Sequence, residues 1–227
     1  MIAALRWLAL EVKYLDRASA FYREHLALDT VRESDGEVAF SVGETDLVLR
    51  RPESVPRGGL HTHYALSIPA GEYDDWYDRL SRGFTLDEHT FGSARSLYFY
   101  DTEGNCVELG ESDEAGPGVC GMFEVVLEVE DLARAEDFYT SLGMEVVDQG
   151  EDRRRTRLSA GGFALELWEP QLGLADARGG VHVDFGVAVE NPEKALERVD
   201  NSVRSVERLD DGIRVRDPDG HFLTFVG

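Results

Sequence analysis

Two stretches of the chain repeat the same succession of hydrophobic and polar positions. Residues 7–28, WLALEVKYLDRASAFYREHLAL, and residues 124–144, EVVLEVEDLARAEDFYTSLGM, both start with alternating apolar residues and continue with apolar residues at helical spacing. Alternation with a period of two predicts a half-buried strand, and apolar positions three and four apart predict one face of a helix. Each stretch is therefore predicted to form a strand followed by a helix that carries a Phe-Tyr pair.

The repeat continues through the rest of both halves of the chain. Three further pairs of segments correspond: hairpins with a central glycine (41–52 and 159–170), strands that begin Gly-Gly (58–69 and 179–190) and closing segments DTEGNCVEL and DPDGHFLTF (101–109 and 217–225). A helical pattern follows each Gly-Gly strand, so each half contains a strand, a helix and three strands, twice over. This order predicts an α+β fold with curled, mainly antiparallel sheets.

The two halves define the predicted domain organisation. Residues 1–112 and 118–227 are each predicted to form one domain of two βαβββ modules, and each is long enough to bury a core. The segment ESDEAGPG at 111–118 joins them and has the acidic, glycine and proline content of a linker.

The charge balance excludes several classes of partner. Acidic residues outnumber basic ones 45 to 23, which gives a formal charge of −22. Nucleic-acid backbones and anionic membranes would be repelled by such a chain. Disorder is also excluded, because 42% of the residues are hydrophobic and 10% are aromatic.

The cysteines and the start of the chain bear on its location. Only Cys106 and Cys120 are present, which suits a reducing cytoplasm better than a disulfide framework. The first apolar run is a few residues long and contains Arg6, so we expect a strand there and neither a signal peptide nor a membrane span.

The motifs of the repeat carry a family resemblance. The helix ends AFYREHLAL and DFYTSLGM, and the closing segments DTEGNCVEL and DPDGHFLTF, resemble the vicinal oxygen chelate superfamily of glyoxalases, bleomycin- and fosfomycin-resistance proteins and extradiol dioxygenases. The resemblance covers nearly the whole chain, and four modules are most similar to the short catechol 2,3-dioxygenase-like group. It implies that paired modules curl around a cleft that holds a divalent metal.

One Gly-Gly strand carries a candidate metal site. His61 and His63 are two residues apart, so their side chains share a face, and Glu108 lies on a closing strand. Two imidazoles and one carboxylate suit Fe(II) or Mn(II) and leave positions open for a substrate. A packing or hydrogen-bonding role for the two histidines is the alternative.

The resemblance assigns roles to individual residues of the first half. It implies that His63 and Glu108 are metal ligands and that His89 and Tyr98 contact a catecholic substrate. Two positions depart from the family pattern: Trp7 stands where a further histidine ligand is usual, and Val48 stands where a general-base histidine is usual. His61 is then a substitute for the third ligand.

The second half carries a different set at the corresponding positions. Glu124, Glu166 and Asp184 replace Trp7, Val48 and His63, and Thr224 replaces Glu108. Three carboxylates that faced one cavity would suit a hard divalent cation and would otherwise repel one another. The alternative is that an acid-rich chain places these carboxylates in solvent.

Three functions remain open from the sequence. The first is a metal-dependent enzyme, dioxygenase-like by resemblance, that acts on a small substrate with adjacent oxygens. The second is a non-catalytic binding protein of the resistance type, for which Trp7 would supply a flat apolar wall. The third is a glyoxalase- or epimerase-like lyase that uses Glu124, Glu166 and Asp184. The oligomeric state is open, a homodimer included.

One basic segment interrupts the acidic chain. EDRRRTR at 151–157 contains four arginines, and we interpret it as a solvated strand edge balanced by neighbouring acids, with an anionic substrate as the alternative.

The basic residues are two lysines, Lys13 and Lys194, and 21 arginines, a usage that resembles proteins of salt-accumulating microbes. We expect the protein to lose structure as salt is lowered, because self-repulsion of the carboxylates is then less screened. The Debye length grows from about 3 Å at about 1 M salt to about 30 Å at about 0.01 M. Far-UV circular dichroism across this range measures the effect. An unchanged spectrum would contradict the halophilic interpretation.

Overall fold

The structure is a computed structural model. It describes residues 1–52, 60–113, 116–152, 154–170 and 183–227. Within these residues the chain forms four units, and each unit has one strand, one α-helix and three further strands.

The first half of the chain contains the first two units. The first unit consists of β1 (Ile2–Glu11), α1 (Leu15–His25), β2 (Thr30–Glu33), β3 (Glu37–Val42) and β4 (Thr45–Arg50). The second unit consists of β5 (Leu60–Pro69), a 3-10 turn (Ala70–Glu72), α2 (Tyr73–Leu80), β6 (Asp87–Phe91), β7 (Ala94–Tyr100) and β8 (Cys106–Ser112).

The second half repeats this order. The third unit consists of β9 (Gly121–Glu128), α3 (Leu132–Ser141), β10 (Glu145–Gln149), β11 (Arg155–Ala160) and β12 (Phe163–Trp168). The fourth unit consists of β13 (Val183–Val189), α4 (Pro192–Val199), β14 (Ser205–Leu209), β15 (Gly212–Arg216) and β16 (Phe222–Val226). The predicted α+β fold of four βαβββ modules is thereby confirmed.

Two of the helices begin at side-chain caps that the sequence contains. Asp131 accepts a hydrogen bond from the backbone of Arg134 at the start of α3, and Asn191 accepts one from Lys194 at the start of α4. These caps satisfy backbone N–H groups that a helix leaves unpaired at its first turn. None of the described helices has the length and apolar content needed to cross a lipid bilayer.

The strands form two eight-stranded sheets, and each sheet draws on both halves of the chain. The first sheet has the order β14-β15-β16-β13-β1-β4-β3-β2 and joins the first unit to the fourth. The second sheet has the order β10-β11-β12-β9-β5-β8-β7-β6 and joins the second unit to the third. Most neighbouring strands in both are antiparallel, as predicted. The division into domains 1–112 and 118–227 stays a prediction.

The central pair of each sheet is the contact between halves. β1 pairs with β13, and β5 pairs with β9, both antiparallel. Ala65 of β5 lies opposite Glu124 of β9, and Ala65 also lies opposite Glu108 of the parallel strand β8. Residues opposite one another point to the same face of a sheet, so these two carboxylates share the face of His63.

Glycine permits close approach at the two predicted hairpin turns. Gly43 and Gly161 adopt φ values of +63° and +55°. A Cβ atom on Gly161 would lie 1.5 Å from the carbonyl oxygen of Ala3, and one on Gly43 would lie 2.4 Å from that of Cys120. Both hairpins therefore contact backbone of the opposite half, which only glycine allows.

Buried tyrosines lock the two units of each half together. Tyr22 of α1 donates a hydrogen bond of 2.7 Å to Asp101 in the turn between β7 and β8. Tyr139 of α3 donates one of the same length to Asp217 in the turn between β15 and β16. The Phe-Tyr helices and the Asp-x-x-Gly turns of the repeat are thus hydrogen-bonding partners.

We expect Tyr139→Phe to lower the free energy of unfolding by about 1–3 kcal/mol, because Asp217 is fully buried and would lose a donor. Urea denaturation in high salt measures the change. Tyr77→Phe is the matched control, since Tyr77 is 42% exposed on α2. Equal unfolding midpoints for the two variants would show that the lock does not stabilise the fold.

Candidate metal centre and its cavity

The concave face of the second sheet encloses a cavity of about 880 Å³. We call it the central cavity. Its walls come from both units of the sheet: β6, β7 and β8 on one side, and β10, β11 and β12 on the other. Three of the residues on its floor are the buried side chains of His63, Glu108 and Glu124.

These three side chains converge on one point. The Nε2 atom of His63 lies 3.3 Å from Oε2 of Glu108 and 3.6 Å from Oε1 of Glu124. One donor atom from each residue lies within 4.8 Å of the other two. The strand register explains this, because His63, Glu108 and Glu124 point to one face from three neighbouring strands.

The donor set fits a divalent cation. An ion with bonds of about 2.1 Å holds neighbouring ligand atoms roughly 3.0–3.4 Å apart, close to the separations seen here. All three residues are at most 5% exposed. Two buried carboxylates this close together repel one another. Arg157 contacts Glu124, and a cation bound between the two carboxylates would supply further positive charge.

The surroundings of Glu108 keep it ionised. Burial alone would raise the pKa of Glu108, but the hydrogen bond and charge of His63, with hydrogen bonds from Ser96 and Tyr98, bring that pKa below its usual value. Tyr98 stays a neutral donor, because burial and the nearby Glu108 carboxylate raise the pKa of its phenol far above the usual range. Glu108 is thus a carboxylate in the form that binds metal.

Aromatic rings form the walls beside the three ligands. The ring of His63 meets Tyr98 edge-on at 5.5 Å and Trp168 edge-on at 5.4 Å between centroids. His89 lies farther along the same wall, with its ring 5.5 Å from that of Tyr98. His89 and Tyr98, predicted to contact substrate, therefore both line the central cavity, although their roles in catalysis stay predictions.

The grouping of candidate residues into two separate pockets needs correction. The sequence predicts Glu124 and Glu166 in a second-half pocket with Asp184, but both line the central cavity with His63. The physical reason is that β5 pairs with β9 across the halves. Glu166 lies two strands from β5, on β12.

Asp184 lies on the other sheet, and its oxygens are already engaged. Oδ2 contacts Arg50 at 2.8 Å and Arg214 at 3.4 Å, and Oδ1 accepts a hydrogen bond of 3.1 Å from Thr224. Beside these polar contacts on the first sheet, Trp7 packs against Ala9, Ala39 and Val48.

The positions that departed from the family pattern therefore do not belong to the central cavity. Trp7 and Val48 lie on the first sheet, so neither deprives His63 and Glu108 of a partner. Glu124 lies beside His63 and Glu108 as a potential third ligand, and the argument from Trp7 for a non-catalytic binding protein does not apply to this cavity. The side chain of His61, the predicted substitute, lies outside the described residues.

The sequence interpretation missed two arginines of the cavity. Arg155 and Arg157 of the EDRRRTR segment are balanced by acids, as expected, but they line the central cavity and are only 34% and 33% exposed. Their spacing of two residues on a strand was the available signal, since it puts both on one face.

The comparison with known families decides the identity of the fold. A model of the Glyoxalase/Bleomycin resistance protein/Dioxygenase superfamily matches the chain twice, over residues 4–109 and 121–225. The chain belongs to this superfamily.

Within this superfamily, the chain is similar in sequence or in structure to several known proteins. Metallothiol transferase FosB of Staphylococcus haemolyticus is 27% identical over 116 residues, a match that covers 48% of this chain and 84% of that protein. Glyoxalase I from Zea mays has a similar structure, with a TM-score of 0.70, 19% identity and coverage of 98% of this chain and 92% of that one. A Bacillus subtilis protein assigned as a dioxygenase gives a TM-score of 0.76 at 17% identity, with coverage of 99% and 85%. At these identities the two structures show the shared fold.

The lowered pKa of Glu108 predicts a pH effect on stability. The unfolded chain binds the Glu108 proton first as the pH falls, so the stabilisation is present above about 4.5 and is lost as the pH drops through the folded-state pKa. We expect the free energy of unfolding of Glu108→Gln to depend less steeply on pH, between neutral and acidic values, than that of the wild type. Urea denaturation at several pH values, with chelator present, measures this, and parallel curves for both proteins would contradict it.

Proposed function

We propose that this protein is a divalent-metal-dependent enzyme that acts on a small substrate through adjacent oxygen atoms. The observation that carries the proposal is the convergence of His63, Glu108 and Glu124 on the floor of the central cavity. A metal held there would act as a Lewis acid on a coordinated oxygen. The name of the FosB relative, a metallothiol transferase, is consistent with metal-dependent chemistry.

The donor set indicates the metal. Carboxylate oxygens suit Mn(II), and imidazole suits Fe(II), so one histidine with two glutamates supports Mn(II) first and Fe(II) second. His63, Glu108 and Glu124 would hold the ion, and Ser96 and Tyr98 would keep the Glu108 carboxylate oriented through their hydrogen bonds.

The cavity walls would bind the remainder of the substrate. Apolar ring surface comes from Tyr98, Trp168 and Phe91. His89 lies against Tyr98, where its imidazole would exchange a proton with a bound group. Aromatic surface also excludes water from the polarised oxygen. The partner is therefore a small molecule with an oxygen-rich end and an apolar body.

A redox-neutral reaction, of the lyase or transferase type, fits the ligands best. Non-haem Fe(II) oxygenases use two histidines and one carboxylate, whereas this centre offers one histidine and two carboxylates. A ring-cleaving dioxygenase is the second candidate, because His89 and Tyr98 line the cavity where the dioxygenase-like relatives are expected to bind a catechol. Uptake of dioxygen in the presence of a catechol would favour the second candidate.

The charge composition adds an inference about the environment. A formal charge of −22 with only two lysines supports a protein that works in concentrated salt. High salt is therefore the appropriate condition for purifying the protein and for measuring its metal binding.

We expect the purified protein to bind about one Mn(II) or Fe(II) per chain. His63→Ala, Glu108→Gln and Glu124→Gln should each weaken binding by more than the roughly 10–100-fold that a supporting residue costs. Elemental analysis and calorimetric titration measure stoichiometry and affinity.

Asp184→Asn is the matched control for this experiment. It removes a buried carboxylate at the corresponding position of the other sheet, where Arg50, Arg214 and Thr224 already engage it. Metal affinity should be unchanged. Loss of metal in this variant, or its retention in Glu124→Gln, would contradict the proposed centre.

A further inference from the structure

Two arginines of β11 each contact a carboxylate of the third unit. Arg157 contacts Glu124, and Arg155 contacts Glu166. Both carboxylates are buried and line the central cavity, yet only Glu124 belongs to the group of potential metal ligands found among the described residues. The two carboxylates also differ in how their oxygens are engaged by the arginines.

Arg157 engages one oxygen of Glu124 and leaves the other for the centre. Its Nη1 atom contacts Oε2 of Glu124, whereas Oε1 of the same carboxylate faces Nε2 of His63 at 3.6 Å. This ion pair favours one orientation of the carboxylate, because the guanidinium attracts Oε2 while Oε1 faces His63.

The same contact recurs at the corresponding place in the other sheet. Arg214 lies opposite Thr224 on β15, as Arg157 lies opposite Glu166 on β11, and Arg214 contacts Asp184 as Arg157 contacts Glu124. The arginine thus accompanies a carboxylate on the first strand of its unit. Where that strand carries Trp7 instead, the third strand carries Ala39, which packs against it.

Arg155 engages Glu166 differently, because both oxygens of this carboxylate are used. Oε1 contacts Nη1 of Arg155 at 2.5 Å, and Oε2 accepts a hydrogen bond of 2.7 Å from the indole nitrogen of Trp168. Arg155 is itself anchored by Asp148 at 2.7 Å. Glu166 is therefore tied to the cavity wall.

We propose that the metal centre has three protein ligands and that the two arginines enforce this number. Arg157 is a positioning residue that orients Glu124 toward the ion, while Arg155, with Trp168, withholds Glu166 from it. This inference rests on the proposed function. It has a consequence for the substrate, since an ion held by three protein ligands would leave room for two adjacent substrate oxygens.

The experiment titrates glutamine variants of the two carboxylates with Mn(II) alone. Electron paramagnetic resonance monitors the free and bound Mn(II). Glu124→Gln should lose at least about 100-fold in affinity, and Glu166→Gln should lose less than the roughly 10–100-fold that a supporting contact costs, because Glu166 lies outside the ligand group. Equal losses in both variants would overturn the inference and leave a four-ligand centre, with the proposed function intact.

The arginines are tested in the same way. Arg157→Met should weaken Mn(II) binding about 10–100-fold, the usual effect of a lost supporting contact, and Arg157→Lys should recover part of it. Arg214→Met is the matched control on the other sheet and should leave the affinity unchanged. A normal affinity in Arg157→Met would overturn the positioning role.

Arg155→Met should release Glu166, so the visible absorption spectrum of the Co(II)-loaded protein should change in this variant. A spectrum identical to that of the wild type would show that Arg155 does not withhold Glu166.

If the wild type binds no Mn(II), or if His63→Ala binds it normally, the proposed function fails and the inference fails with it. Circular dichroism of every variant checks the fold. If a methionine variant does not fold, the Mn(II) affinities of Arg157→Lys and Glu166→Gln test the inference instead.

Discussion

The antiparallel pairing of β5 with β9 is the interaction on which the site depends. It joins the second unit to the third, and it sets the register in which Ala65 lies opposite Glu124. The parallel pairing of β5 with β8 fixes Glu108 at the same level. Backbone hydrogen bonds of three strands therefore determine where the three donor atoms meet. A shift of one residue in either pairing would turn a carboxylate to the opposite face of the sheet.

Two kinds of contact hold the four units together. Within each half, a buried tyrosine of one unit binds the aspartate turn of the next, as Tyr139 binds Asp217. Between halves, the central strands and the glycine hairpins make the contact, as Gly161 does against Ala3. Because the sheets cross the boundary between halves while the tyrosine locks do not, the central cavity belongs to both halves and neither half contains it alone.

The sequence predicted what depends on local pattern. Period-two and helical spacings identified the four units. The family resemblance pointed to His63, Glu108, His89 and Tyr98, and all four line the central cavity. Pattern along one strand does not reveal which distant strand lies beside it, so the position of Glu124 next to His63 was not predictable. The same gap hid Arg155 and Arg157, whose partners lie on other strands, and composition alone made them resemble a solvated edge.

The duplicated sheets differ in what their equivalent faces hold: the first carries structural contacts, and the second carries the candidate site. In the first sheet Arg50 reaches Asp184, and Trp7 and Val48 fill the remaining space. In the second sheet the strand register puts Gly110 at the place of Arg50, and a Cβ atom there would lie 2.8 Å from the ring of Phe123. Glu124 thus keeps its β11 arginine but lacks the second guanidinium that Asp184 has. Glu108 adds a further carboxylate beside His63, so a cation bound there would supply on this face the positive charge that Arg50 supplies on the other.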